Sequence, residues 1–75
     1  MQYKHLIERN HQVMQGKPII KGTRITVELI IRKFANGYSL EQMLEAYPSL
    51  NKTQIQAAME YAADVIANEE TIEAA

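Results

Sequence analysis

The feature that most restricts what this chain can fold into is the density of helix stop and start signals between residues 36 and 54. Asn36-Gly37 closes one periodic segment, glycine being the favoured residue just past a helix C-terminus. Ser39 follows, with Gln42 three residues later, the pairing of a capping box that opens a helix. Pro48 ends that helix, because proline disfavours the helical conformation in the residue before it. Asn51 with Gln54 repeats the cap signature and opens another. The apolar residues keep step with this punctuation. Val27, Ile30, Ile31 and Phe34 share one helical face; so do Leu40, Met43, Leu44 and Tyr47; so do Ile55, Ala58, Met59, Ala62 and Ile66. Three short helices in a compact unit are predicted over residues 27–68, the last fading towards Asn68, with an acidic tail at 69–75 that either frays or extends it.

The first 26 residues read differently. Residues 3–7 alternate weakly between apolar and polar and predict a short strand. Pro18-Ile19-Ile20 and Arg24-Ile25-Thr26-Val27 are rich in β-branched residues and flank Lys21-Gly22-Thr23, which predicts a hairpin turning at the glycine. Such a hairpin is barely stable by itself and needs a helix or a second subunit beneath it. The expected fold is therefore mainly α: a three-helix helix-turn-helix bundle preceded by short β-strands, in one domain.

A chain of 75 residues buries only about 60% of its unfolded surface, so its core is marginal. Disulfides, metals or a partner subunit usually make up the difference. With no cysteine in the sequence, the first support is closed and the thiolate form of the second is too. A homodimer is expected, joined through the N-terminal strands. The sequence shows no secretory signal pattern and no apolar run long enough to cross a bilayer, so it reads as cytoplasmic, without membrane contact.

The net charge of −1 conceals a strong asymmetry. Residues 1–33 carry seven bases (Lys4, Arg9, Lys17, Lys21, Arg24, Arg32, Lys33) against two acids, whereas residues 34–75 carry Lys52 alone against seven acids. Either the N-terminal half meets an anionic partner, or the two halves complement each other within or between subunits.

Catalysis finds little to work with. His5 and His11 are the only histidines and Ser39 and Ser49 the only serines, both serines being accounted for by a cap or a turn. No nucleophile, base and orienting group converge in the pattern. Glu41 and Glu45 lie one turn apart, as residues of a solvated face do. Two histidines six apart without cysteine match no usual metal spacing. Gly16-Lys17-Pro18 lacks the glycine pattern and hydroxyl of a phosphate loop. The reading is non-enzymatic, with no catalytic residue, metal or cofactor.

The helix-turn-helix pattern points to DNA. In that motif a first helix braces a second, whose N-terminal polar residues meet base edges in the major groove. Residues 40–47 would brace, and the reader would open at Asn51, presenting Lys52, Thr53, Gln54 and Gln56. Glutamine pairs bidentately with adenine, and lysine reaches guanine or phosphate. Phosphate contacts supply most of the affinity in such complexes. The third helix is acidic beyond Lys52, so Arg24, Arg32 and Lys33, with Lys17 and Lys21, would have to supply those contacts, doubled in a dimer. A trihelical protein-interaction module without DNA binding remains the alternative.

The stretch G-K-P-I-I-K-G-T-R-I-T-V, followed by N-G-Y-S-L-E-Q-M-L-E-A-Y-P-S-L-N-K-T-Q-I-Q-A-A-M-E-Y-A, resembles the family catalogued as domain of unknown function 433. The likeness covers residues 16–62. Gly22, Thr23, Arg24 and Ile25 match its signature block; Gly37, Ser39, Tyr47, Pro48 and Ala58 match its helical half. The resemblance implies a winged-helix-like or homeodomain-like fold. It further implies, for some members, a VapB-like antitoxin role in a two-gene toxin–antitoxin pair whose toxin is a PIN-like ribonuclease. Joined with the helix-turn-helix pattern and the basic N-terminal half, this leads to the expectation of a dimeric regulator that binds the operator of its own operon. It assigns none of these residues to catalysis. Physically, Gly22 is a turn residue, Pro48 a stop, and Tyr47 a core residue with a polar tip. Arg24 either binds DNA phosphate or braces a carboxylate such as Glu28.

Overall fold

The computed structural model describes residues 3–74, with side chains described for residues 3–68. Two strands and three helices follow one another: β1 (Ile7–Glu8), β2 (Ile19–Ile20), α1 (Val27–Ala35), α2 (Leu40–Ala46) and α3 (Lys52–Ala74).

The helix boundaries follow local chemistry. Thr26 caps α1, its hydroxyl accepting from the Leu29 N–H at 3.0 Å. Glu28 in the first turn and Arg32 and Lys33 in the last suit the helix dipole. At the far end the Tyr38 N–H donates to the Lys33 carbonyl (3.1 Å) and the Gly37 N–H to that of Phe34 (3.0 Å). These two bonds make a Schellman motif, which places Gly37 in the left-handed region at φ +96°. The Lys33 ammonium lies 5.0 Å from the centre of the Tyr38 ring, tying together the same two residues that share the longer bond.

Both capping boxes form. Ser39 Oγ accepts from the Gln42 N–H (3.1 Å) while Gln42 Oε1 accepts from the Ser39 N–H (2.8 Å). Asn51 and Gln54 do the same at the start of α3, both bonds at 2.8 Å.

The N-terminal region departs from expectation. The chain does turn at Lys21-Gly22-Thr23, with Gly22 at φ +81°. The Thr23 hydroxyl clamps this turn, donating to the Ile20 carbonyl (2.8 Å) and accepting from the Ile25 N–H (3.0 Å). The returning segment pairs only once, through a bridge from Thr26 to Ile19, because Thr26 must then cap α1. The lasting partner of β2 is instead β1, antiparallel, with Ile7 opposite Ile20 and Glu8 opposite Ile19. The strand predicted at residues 3–7 accordingly shifts: residues 4–6 form a turn, closed by a bond from the Leu6 N–H to the Tyr3 carbonyl at 2.8 Å. A left-handed turn, Met14–Gly16, joins the strands, with successive φ values of 50°, 60° and 80°.

The core joins Ile7 and Ile20 from the strands, Val27 and Ile30 from α1, Met43 from α2, Leu50 from the following turn, and Ile55, Ala57 and Ala58 from α3. Helix α3 packs chiefly on α1 and then on the strands, so α2 is a weaker brace than the sequence implies. Its inner face is also rotated from the predicted one. Met59 (42% exposed) and Ile66 (53% exposed) lie outside the core, while Ala57 is fully buried. Small alanines let the helix approach α1 closely, and beyond Ala62 its apolar side chains are only partly covered, Val65 being 39% and Ile66 53% exposed. Of the two outcomes expected after Asn68, extension holds: α3 continues to Ala74. No helix among the described residues is long and apolar enough to cross a membrane.

Candidate nucleic-acid interface

The first turn of α3 is the candidate reading surface. Lys52, Thr53 and Gln56 are exposed there, on the side of the helix opposite the buried Ala57, Ala58 and Ile55. They are N1, N2 and N5 of a capped helix, in which Asn51 Oδ1 accepts from the Gln54 N–H at 2.8 Å. Gln54 must be read differently. Half-buried, it spends its carbonyl oxygen on the Asn51 N–H, so it cannot offer the bidentate amide edge that adenine requires. One glutamine cannot both cap and read.

The proposed phosphate-binding bases are spread over two elements. Arg24 is exposed in the turn after Gly22 and makes no side-chain hydrogen bond or ion pair among the described residues. It does not brace Glu28: that carboxylate is shared by Arg32 (2.9 Å) and Lys17 (3.3 Å). Hydrogen bonds from Arg32 first and Lys17 second hold the Glu28 carboxyl below its ordinary range. Arg32 is therefore neutralised in part, and half-buried Lys33 is directed onto Tyr38. Of the seven candidate DNA-binding residues, the structure leaves Lys52, Thr53, Gln56 and Arg24 open to a partner and commits Gln54, Arg32 and Lys33 to local contacts.

The signature residues have structural employment. Gly22 supplies the positive φ, Thr23 clamps the turn, and Ile25 is half-buried and accepts from the Ile20 N–H at 2.9 Å. Tyr47 closes α2, its carbonyl accepting from the buried Leu50's N–H (2.9 Å), while Pro48 is exposed in the turn before α3.

A second surface escaped the sequence reading. Between α1 and the latter half of α3 runs an open groove of about 640 Å³, walled by Ile31, Ala35, Tyr61, Ala62, Val65 and Ile66 and rimmed by Arg9 and Arg32. The signal was present: the doublets 61–62 and 65–66 repeat one turn apart, carrying an apolar stripe past the end of the core. At its edge Tyr3 packs edge-on against Tyr61, ring centres 5.8 Å apart and planes at 87°. A hydrogen bond to the Asp64 carboxylate raises the Tyr3 phenol above its usual pKa. Among the described residues no three His, Cys, Asp or Glu side chains are grouped so as to hold a metal ion.

Residues 7–62 match the model of the family described as protein of unknown function, DUF433. An uncharacterized protein, y4eO, of Sinorhizobium fredii (strain NBRC 101917 / NGR234) is 36% identical over 59 residues, or 79% of this chain. The crystal structure of a DUF433 member protein from Anabaena variabilis ATCC 29413 superposes with a TM-score of 0.77 at 28% identity over 91% of the chain. The chain spans 27% of the length of the Sinorhizobium protein and 64% of the Anabaena chain.

Proposed function

The chain belongs to the DUF433 family, and from that premise we propose that it is a non-enzymatic, DNA-binding regulator acting as a homodimer, the antitoxin half of a toxin–antitoxin pair. In this reading it represses its own operon and neutralises a PIN-like ribonuclease. The observation that carries the DNA reading is the outward-standing start of α3: Lys52, Thr53 and Gln56 are exposed on a helix seated by Ile55, Ala57 and Ala58. Arg24, without a protein partner among the described residues, supplies a phosphate contact from the neighbouring turn. The antitoxin part rests on the family resemblance, and the acidic end of α3 suits a basic toxin surface.

The test is a gel shift with DNA from upstream of the chain's own reading frame. The Lys52→Ala/Gln56→Ala double variant, which leaves the Asn51–Gln54 cap intact, should weaken binding about 10- to 100-fold and lower the salt slope by roughly one. Its melting temperature should not move, since both side chains are exposed. Absence of a salt-sensitive shift at about 1 µM dimer, with or without the neighbouring gene's product, removes the DNA reading. The apolar groove favours a second reading, a protein-interaction module without DNA binding. Under it the same double variant is silent in every assay. A PIN-like reading frame beside this one would support the antitoxin role, and its absence would remove that part alone.

A further inference from the structure

Helix α3 is longer than the body it packs on. The stripe that buries Ala58 and half-buries Tyr61 and Ala62 continues to Val65 (39% exposed) and Ile66 (53% exposed), which line one side of the open groove. Among the described residues, these two and Met59 are three of the four large apolar side chains left exposed, and those three lie on this one helix. Facing Val65 and Ile66 across the groove is the Ile31–Ala35 side of α1, with Arg9 and Arg32 on the rim and Lys17 close by on Glu28. Arg32 and Lys17 share that single carboxylate while Arg9 donates to the Gly16 carbonyl, so three bases stand against one acid and the rim is positive. The far end of α3 has the opposite character: Asp64, Glu69, Glu70 and Glu73 follow one another with no base after Lys52. One molecule thus carries an apolar groove with a basic rim and, adjoining it, an apolar helix end with an acidic continuation.

We propose that this groove is the seam of a homodimer, in which the projecting end of α3 from each copy lies along the α1–α3 groove of the other. A two-fold contact is self-complementary by necessity, and this surface meets that condition in both apolarity and charge. With the axis passing near Val65 and Ile66 and the two α3 helices antiparallel, residue 69 of one copy reaches the level of residue 61 of the other. That is where Arg9 closes the groove beside Tyr61. The seam moves the dimer contact away from the N-terminal strands, where the sequence placed it. β1 and β2 are two residues long each, and β2 is already paired with β1 and bridged to Thr26. Strands this short leave few backbone groups for a second copy to pair with. The seam stands independently of DNA binding, so either can fail alone.

The experiment is sedimentation equilibrium on the full chain, read beside far-UV circular dichroism. The unaltered protein should run at twice its 8.6 kDa mass at about 50 µM. Val65→Glu/Ile66→Glu should fall to the single mass with its helical signal intact, since both side chains are exposed in the isolated fold. Met59→Glu, on the same helix but outside the groove lining, should stay dimeric. Arg9→Glu/Arg32→Glu should weaken the dimer about 10-fold, and adding Glu69→Arg, Glu70→Arg and Glu73→Arg should restore it. A protein of single mass up to about 100 µM overturns the proposal. So does a Val65→Glu/Ile66→Glu variant that remains dimeric, and so does a charge swap that fails to rescue.

Discussion

Thr26 joins strand to helix with a single residue. Its backbone bridges to Ile19, its carbonyl accepts from the Ile30 N–H (3.3 Å), and its hydroxyl accepts from the Leu29 N–H (3.0 Å). It is 7% exposed, so water cannot replace the lost acceptor if the hydroxyl is removed. Thr26→Ala should cost about 1–2 kcal/mol, the usual loss for a helix cap. In a domain of this size that lowers the melting temperature by roughly 4–16 °C, readable by circular dichroism. Thr26→Ser should recover most of the loss, and an unchanged melting temperature in the alanine variant would remove Thr26 as the determinant of α1. Tyr3 makes a pH-dependent contribution. Its phenol donates to Asp64, which raises its pKa in the folded state, so the contribution is complete below the ordinary phenol value and disappears as pH rises through the raised one. Beyond that, a phenolate would face a carboxylate. Thermal melts of the unaltered protein should therefore fall more steeply than those of Tyr3→Phe between about pH 9 and pH 12. Parallel curves would show that the hydrogen bond contributes nothing to stability.

Among the elements, the turn Met14–Gly16 is the one held against local preference. Met14 and Gln15 take φ of 50° and 60°, a conformation costing an L-residue about 1–2 kcal/mol. It is held by bonds from the Gly16 N–H to Val13 (3.1 Å), the Lys17 N–H to Met14 (3.2 Å) and Arg9 Nε to the Gly16 carbonyl (3.0 Å). Glycine at position 15 would relieve the strain while loosening the unfolded chain by about 0.5–1 kcal/mol, so relief should win narrowly. Gln15 is exposed and loses no packing; Gln15→Gly should raise the urea midpoint slightly, and a lowered midpoint would show that the turn carries no relievable strain. This turn was invisible in the sequence because only its last residue is glycine. Helix α1, by contrast, was legible to the residue, and both capping boxes were read correctly, because a cap is decided by side chains within four positions of each other. The pairing of β1 with β2 was not legible: two-residue strands have no period, and their partners lie more than ten positions apart. The face of α3 was misjudged for another reason. Alanine adds little to an apolar pattern, so Ala57 counted for less than Met59, yet close approach to α1 selects the smaller residue. At the candidate interface, the exposure of Lys52 and Thr53 in the first turn, and of Gln56 just past it, was legible from their place in the helix. Gln54 was assigned to both cap and reading surface, and hydrogen-bond geometry allows only the first.

The whole molecule is less compact than a chain of its length usually is. Its radius of gyration is 12.9 Å, against about 11 Å for a compact domain of this length, and its longest extent of 42 Å sets it apart from the other two at 30 and 22 Å. The excess fits the reach of α3, whose 23 residues span about 34 Å. If the dimer seam lies near Val65 and Ile66, that length also fixes the distance between the two reading surfaces. Lys52 stands about 20 Å up the helix from the axis, so antiparallel partners hold their first turns about 40 Å apart. Crossing at the common angle of about 50° shortens this to about 36 Å. One turn of DNA separates half-sites by about 34–36 Å, so a symmetric dimer would reach two successive major grooves on one face of the duplex. Hydroxyl-radical footprinting on the upstream DNA should then show two protected segments about 10–11 base pairs apart between centres. Inserting about 5 base pairs between them turns one half-site to the opposite face and should abolish cooperative binding, whereas inserting about 10 restores the facing. The Val65→Glu/Ile66→Glu variant, confined to single half-sites, should be indifferent to both insertions. If the unaltered protein is equally indifferent, the two α3 helices do not read DNA as a rigid pair, whatever else the groove between α1 and α3 holds.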